Sequence, residues 1–138
     1  MSHFLRPLLG KGGAASVLVN ERTGSVVAAV LEAAVDSRSR RRGLLGRDAL
    51  AEGHALVLAP CGAIHTCFMR FPIDVLFVAR DGRVLKIVEQ IGAWRVTASL
   101  RAFAAIELPA GALRRAGLAA GDRVVVRPAA PEKTAAPS

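Results

Sequence analysis

The sequence predicts a mainly β fold, a single compact β-sandwich or jelly-roll-like or barrel-like domain with one or two short helices. Three observations predict it. Short runs rich in valine, isoleucine and leucine, roughly seven or eight of them, recur along the chain; glycine or proline punctuates the gaps; and only two stretches have helix-like spacing. At 138 residues and 52% hydrophobic, the chain is long enough to bury a core without a disulfide or a structural metal. Aromatic residues make up only 4% and tyrosine is missing, so alanine and valine must do much of the packing.

Residues 1–15 mix proline, glycine and lysine without a period and read as a flexible N-terminal arm. Ser16–Asn20 and the run from Ser25 to Val35 flank a glycine-containing turn, which suggests a hairpin. Asp36 and Ser37 supply capping oxygens and Gly43 a left-handed stop, so the segment between them is read as a short helix carrying Arg38, Arg40, Arg41 and Arg42. Leu44, Leu45 and Leu50 follow as a loop folded back on the core. Ala55 to Ala59 is a continuous apolar strand ended by Pro60. Asp81-Gly82, between the runs Val75–Ala79 and Val84–Val88, is the strongest hairpin signal in the chain. Gly92 to Leu100 has no clear period. A strand over Ala102–Leu108, a helical turn over Ala110–Ala116 and a last strand over Asp122–Arg127 complete the domain, 16–127, and residues 128–138 read as a disordered tail.

The formal charge is +8 and the pI about 11.2. Such a balance can mark an acidic partner, nucleic acid or an anionic membrane surface. With arginine, alanine and glycine abundant everywhere, a generally basic surface is the plainer account. Two cysteines are no disulfide framework. Met1 to Gly13 lacks a continuous apolar region of the kind a signal peptide carries. The longest apolar run, Val26 to Leu31, falls far short of the roughly 18 residues that cross a bilayer, so no membrane span is expected. A cytoplasmic location with reduced thiols follows as the expectation.

The stretch Ala59–Ala79 holds both cysteines and one of three histidines. If it were one strand, His65, Cys67 and Met69 would share a face, and Cys61 has the same parity. Two thiols, an imidazole and a thioether are soft donors suited to copper(I) or zinc. Against a metal site, alternate strand residues stand nearly ~7 Å apart, whereas zinc donors converge to about 2.0–2.3 Å from the ion. His65 and Cys67 could instead be base and nucleophile, with Asp74 or Glu107 as the orienting acid. Asp74 and Glu107 each interrupt an apolar run, so each needs an arginine or backbone amides for compensation, or its pKa must rise. Arg42, Arg47 and Arg70 are the candidates for Asp74. The arginine run itself could meet phosphates, yet no aromatic residue accompanies it and the helix is short, so a solvated face is the plainer reading.

Arg42–Arg47, Ile64–Phe77, Asp81–Val84 and Glu107–Gly111 resemble, in order, the signature blocks of the domain-of-unknown-function family 192, over roughly residues 28 to 127. The resemblance implies a compact, mainly β fold of sandwich or jelly-roll type and a prokaryotic origin, with no established activity. Leu45 stands where many relatives have methionine, and Cys67 where others often have an aromatic residue. The shared positions point to a site of Arg42, Arg47, His65, Met69, Asp74 and Glu107. The reading that follows is a ligand- or partner-binding module, not an enzyme, with a polar pocket around His65 and Asp74. The alternative is a copper or zinc protein using Cys61, His65, Cys67 and Met69, and a Cys-His hydrolase and a nucleic-acid-associated protein rank below it.

Overall fold

The computed structural model of the chain describes residues 3–8 and 15–129. Strands β1 (Ser16–Asn20) and β2 (Val26–Ala28) form the expected hairpin. Strand β1 also pairs antiparallel with the last strand, β10 (Val124–Pro128), giving a three-stranded sheet in the order β10-β1-β2. The run from Ser25 to Val35, read as one strand, is two. It breaks at Ala29, where the Gly53 carbonyl accepts from the N–H groups of both Ala29 and Val30 at 2.7 and 3.0 Å. Past that corner, β3 (Val30–Ala34) leaves the first sheet and pairs in parallel with β4 (His54–Leu58).

Parallel neighbours cannot be joined by a tight turn; the chain must cross over a sheet face. Here the crossover is residues 35–53 and contains helix α1 (Ser37–Arg42). Its ends are those expected: the Asp36 carboxylate accepts from Ser39 N–H at 2.8 Å, and Gly43 closes it at φ 46. Leu44 and Leu50 turn into the core.

Strands β6 (Ile73–Val78), β7 (Val84–Ile91) and β9 (Ala104–Pro109) complete a five-stranded sheet in the order β3-β4-β9-β6-β7. The Asp81-Gly82 turn joins β6 to β7 as expected. Glycine is required there, because a Cβ on Gly82 would lie 2.2 Å from the Val124 carbonyl oxygen. A separate two-stranded ribbon pairs β5 (Ala63–His65) with β8 (Val96–Ala98), a strand that no clear period announced. Helix α2 (Ala112–Arg115) follows β9.

Every residue of β6 and β9 is buried. Their side chains alternate between two cores. Leu76, Val78, Ala104, Ile106 and Leu108 meet Leu18, Val27, Val124 and Val126 of the three-stranded sheet, which makes the sandwich. Ile73, Val75, Phe77 and Ala105 face the other way, toward Leu44, Leu50, Ile64 and Met69 from the crossover and the ribbon. The protein is thus mainly β with two short helices, and its sheets do not close into a barrel.

Residues 3–8 fall in the stretch expected to be a flexible arm, but they form turns. Leu5 is fully buried in the sandwich core and Phe4 N–H donates to the Arg80 carbonyl at 2.8 Å, because apolar side chains at positions 4, 5 and 8 give the segment something to bury. The rest of that arm and the tail from 130 onward lie outside the described residues. At the end of β10, Ala129 N–H donates to the Ala15 carbonyl at 2.9 Å.

One polar cluster ties β1 to the turn before β10. Asp122 accepts from Asn20 Nδ2 at 3.0 Å, from Arg22 Nε at 2.8 Å and from Ala119 N–H at 3.0 Å. The Arg22 hydrogen bond, seconded by the Ala119 amide, holds the Asp122 carboxyl well below its usual range. A depressed folded-state pKa contributes stability above the ordinary carboxylate value and loses it as pH falls. Chemical denaturation between about pH 6 and pH 2 will therefore show wild-type stability dropping below about pH 4, with a shallower drop in Asp122→Asn. Parallel curves for the two proteins would remove Asp122 from the account.

Candidate functional site

The two buried acids of the central sheet point in opposite directions. Across the β6–β9 ladder, Asp74 stands opposite Leu108 and Val75 opposite Glu107, so the side chains at 74 and 108 lie on the sandwich face and those at 75 and 107 on the crossover face. The expectation of one pocket containing Asp74 and His65 fails on this point of parity.

Asp74 is completely buried and its partners are backbone amides. Its carboxylate accepts from Gln90 N–H at 2.8 Å, Gly111 N–H at 3.1 Å and Leu113 N–H at 3.0 Å. It caps the first turn of α2 and pins a backbone at positive φ, Gln90 at 50°. The arginines considered for it are engaged elsewhere: Arg47 pairs with Glu32 and Arg70 with Asp48. Asp74→Ala would leave three donors without an acceptor and will cost on the order of 3–5 kcal/mol in a urea titration, with Asp74→Asn, which keeps one acceptor oxygen, losing distinctly less. Equal losses would mean that volume, not hydrogen bonding, is what the position supplies.

Glu107 has a different environment. Its cross-strand neighbours, Leu56 and Val75, are both apolar and buried, and it is itself only 6% exposed. Among the described residues no hydrogen bond or ion pair reaches its carboxyl. Arg47 lies close enough to favour the charged form, but its guanidinium is already held by both oxygens of Glu32, at 3.1 and 2.8 Å. Burial outweighs that attraction and pushes the Glu107 pKa from 4.5 up to about 7. Near neutrality the group is therefore poised to donate or accept a proton.

What Glu107 faces is a cavity of about 750 Å³ under the crossover. Its apolar wall is Leu44, Leu45, Leu58, Ile64, Met69 and Ile73. Arg40, Arg42, Cys61 and His65 add polar groups. Arg42 and His65 are exposed, while Arg40 is half-buried and donates to the carbonyls of Val35 and Ala59. The half-buried Cys61 thiol donates to the Ala63 carbonyl at 3.1 Å, and burial pushes its pKa up, which keeps it a thiol. Gly43 lies over the acid: a Cβ there would sit 3.8 Å from Glu107 Oε1.

Of the six positions expected to form the site, Arg42, His65, Met69 and Glu107 line this cavity, Arg47 acts on Glu107 from outside it, and Asp74 is on the far side of the sheet. Of the four expected metal ligands, Cys61, His65 and Met69 line it and Cys67 does not. Strand β5 ends at His65, and the chain then turns through Cys67 and Phe68, Phe68 at φ 64, so the alternation that was to align His65, Cys67 and Met69 is lost after one residue. Among the described residues no three His, Cys, Asp or Glu side chains gather as a metal site would need. Nor does a hydrogen bond join His65 to Cys67, as a base and nucleophile would require. Arg40 and Leu45 are cavity residues that sequence reasoning did not select; the crossover that carries them follows from the parallel pairing of β3 and β4, which has no local signature.

A raised acid pKa has a definite sign in linkage. The folded protein binds the Glu107 proton more tightly than the unfolded chain, so its contribution is fully present below about pH 4.5 and is lost as pH rises toward 7. Glu107→Gln removes that slope and will be more stable than wild type at pH 8 by up to about 3 kcal/mol, with the two nearly equal at about pH 4. A constant difference across that range would show that Glu107 does not titrate in the fold.

A family model, DUF192, described as an uncharacterized ACR, matches residues 18–126. No curated protein matches the chain. A crystal structure from Sinorhizobium meliloti 1021, titled a putative transcription regulator, is 26% identical with a TM-score of 0.70, covering 83% of this chain and 96% of that one. A protein of unknown function from Novosphingobium aromaticivorans DSM 12444 is 21% identical with a TM-score of 0.69, covering 80% of this chain and 82% of that one, and attests the fold. No helix among the described residues is long and apolar enough to cross a membrane.

Proposed function

This chain belongs to the DUF192 family, and from that premise we propose that it is a small-molecule-binding module whose site is the cavity between the crossover and the five-stranded sheet. The family is uncharacterised and brings no activity, so the reading rests on the site. One observation carries it: an acid with no hydrogen-bond partner among the described residues is buried at the wall of a 750 Å³ cavity that sets an apolar side, Leu44, Leu45, Leu58, Ile64, Met69 and Ile73, against a polar one holding Arg40, Arg42 and His65. Burying an unsatisfied carboxyl costs stability. A molecule with an apolar body for Leu44, Leu45, Ile64 and Met69 and a hydrogen-bonding group for Glu107 offsets that cost on binding. Arg42 and His65 are placed to favour an anionic substituent at the open side.

Binding is favoured over catalysis because the groups that chemistry would need are not assembled: Asp74 is consumed by backbone amides, and Cys67 and His65 make no hydrogen bond to each other. The likeness to the S. meliloti transcription regulator raises DNA association as a competing reading. Helix α1 has six residues, and of its described arginines Arg40 is turned onto carbonyls of its own fold and Arg42 onto the cavity, which leaves Arg38 for a phosphate backbone.

Three probes with one chain length and different heads, octanoate, octylamine and 1-octanol, separate the contributions. Methyl NMR titration of wild-type protein will give saturable shifts at Leu44, Leu45, Ile64 and Met69 with at least one of them, at millimolar dissociation constants or tighter, about the ceiling expected of so small a ligand. Leu45→Trp, which fills the cavity from an exposed loop, will abolish them. Preference for the amine would assign the head to Glu107, and preference for the carboxylate to Arg42 and His65. Shifts that fail to saturate, or that persist in Leu45→Trp, would rule the cavity out as the site; retention of duplex DNA by wild type but not Arg38→Ala would favour the competing reading.

A further inference from the structure

The β5–β8 ribbon carries an apolar surface that the cavity does not use. Phe68 is 70% exposed, Trp94 63%, Val96 75% and Leu100 98%. Within β8, Val96 and Ala98 lie on the outer face while Thr97 is buried beneath; Trp94, in the bend before the strand, and Leu100, in the turn after it, are exposed as well, as are Arg95 and Arg101 beside them. Phe68 and Trp94 touch across the ribbon's end, their ring centroids 4.5 Å apart at an interplanar angle of 60°.

These rings are held outward at a conformational cost. Phe68 and Trp94 sit at φ 64 and 62, a region that disfavours a non-glycine residue and persists only when its surroundings impose it. Thr66, 1% exposed, imposes it on both turns. Its carbonyl accepts from Met69 N–H at 3.0 Å and Trp94 N–H at 3.1 Å; its hydroxyl donates to the Gly92 carbonyl at 2.6 Å and accepts from Arg95 N–H at 2.9 Å. A buried polar residue is thus spent on keeping two aromatic side chains in water.

Charge on the ribbon has one sign. Residues 53–73 and 90–106 contain no aspartate or glutamate, yet they include Arg70, Arg95 and Arg101. Lys86 of the neighbouring strand donates to the Ala98 carbonyl at 2.9 Å and adds a fourth cation beside β8. Among the described residues, the acid paired with one of these cations is Asp48, on Arg70.

We propose that this face docks on an anionic lipid bilayer, with Phe68, Trp94, Val96 and Leu100 entering the headgroup–acyl boundary and Arg95, Arg101 and Lys86 meeting the lipid phosphates. Apolar side chains at loop tips with cations beside them have the chemistry of interfacial binding, in which buried apolar area and attraction to anionic lipid add. Tryptophan is the side chain best suited to that boundary. A single-stranded nucleic acid needs open ring faces on which bases stack. Here the two rings lean on each other, and Val96 and Leu100 offer nothing to a base. This surface is separate from the ligand reading of the cavity, and either can fail without the other.

Trp94 is the sole tryptophan and there is no tyrosine, so the protein's own fluorescence reports on this face alone. With vesicles of phosphatidylcholine containing phosphatidylglycerol, emission will shift to the blue and be quenched by lipid brominated near the top of the acyl chain. The partition constant will fall at least about tenfold in Leu100→Ser/Val96→Ser, the consequence of removing two apolar side chains from the contact, and will fall again on raising salt. Circular dichroism of the double variant checks that the fold is kept, and Arg95→Gln/Arg101→Gln, at two exposed positions, provides a second variant that must also weaken binding. No blue shift with anionic vesicles, an equal shift with pure phosphatidylcholine, or a response to single-stranded oligonucleotide but not to vesicles would each overturn the proposal.

Discussion

Strands β6 and β9 have no solvent face, and most of the molecule is arranged to make that tolerable. A strand buried on both sides needs a layer against each face and a ladder partner for every backbone polar group. The three-stranded sheet with residues 3–8 and α2 supplies one layer; α1, its trailing loop and the ribbon supply the other. The two layers differ in kind. Sheet on sheet packs closely through the alternation of both partners, whereas a short helix, a loop and a two-stranded ribbon cannot tile a flat face, and the cavity is the space they leave.

The same alternation gives two similar acids different chemistry. Asp74 and Glu107 lie on neighbouring strands one residue out of register, each in an apolar run. One meets the amides at the start of α2 and is a structural part. The other meets leucine, valine and the cavity, and keeps a titratable proton near neutrality. Composition and spacing are alike at the two positions; the direction of the side chain decides.

Legibility in the sequence follows the range of the interaction concerned. Asp36 and Gly43 at the ends of α1, Asp81-Gly82 between β6 and β7 and the apolar runs of β4 and β9 act through neighbours a few residues away, and they are readable. Whether the chain from Val30 onward pairs with β1 or with β4 depends on Gly53, more than twenty residues on, and a reader of one sequence has no access to that choice. The site inherits the same limit. Glu107, His65 and Met69 could be selected because polar or soft residues in apolar settings stand out, and the family resemblance sharpened the choice and added Arg42. That Asp74 leaves the group, and Cys67 with it, depends on sheet parity and on a left-handed turn at Phe68. Phenylalanine and tryptophan at positive φ contradict local preference, and such positions are where sequence reasoning fails for a reason, because the surroundings force them.

Gly43 ends α1 at φ 46 and ψ −125, a backbone conformation that glycine alone adopts at little cost, and it does so directly above the Glu107 carboxyl. The helix stop and the exposure of the acid are therefore one structural fact. Any side chain at 43 would have to distort the crossover and would also shade the acid with its first carbon. Drift at this position is closed from two sides, and the chemistry of the cavity wall is protected by a folding requirement of the helix beside it.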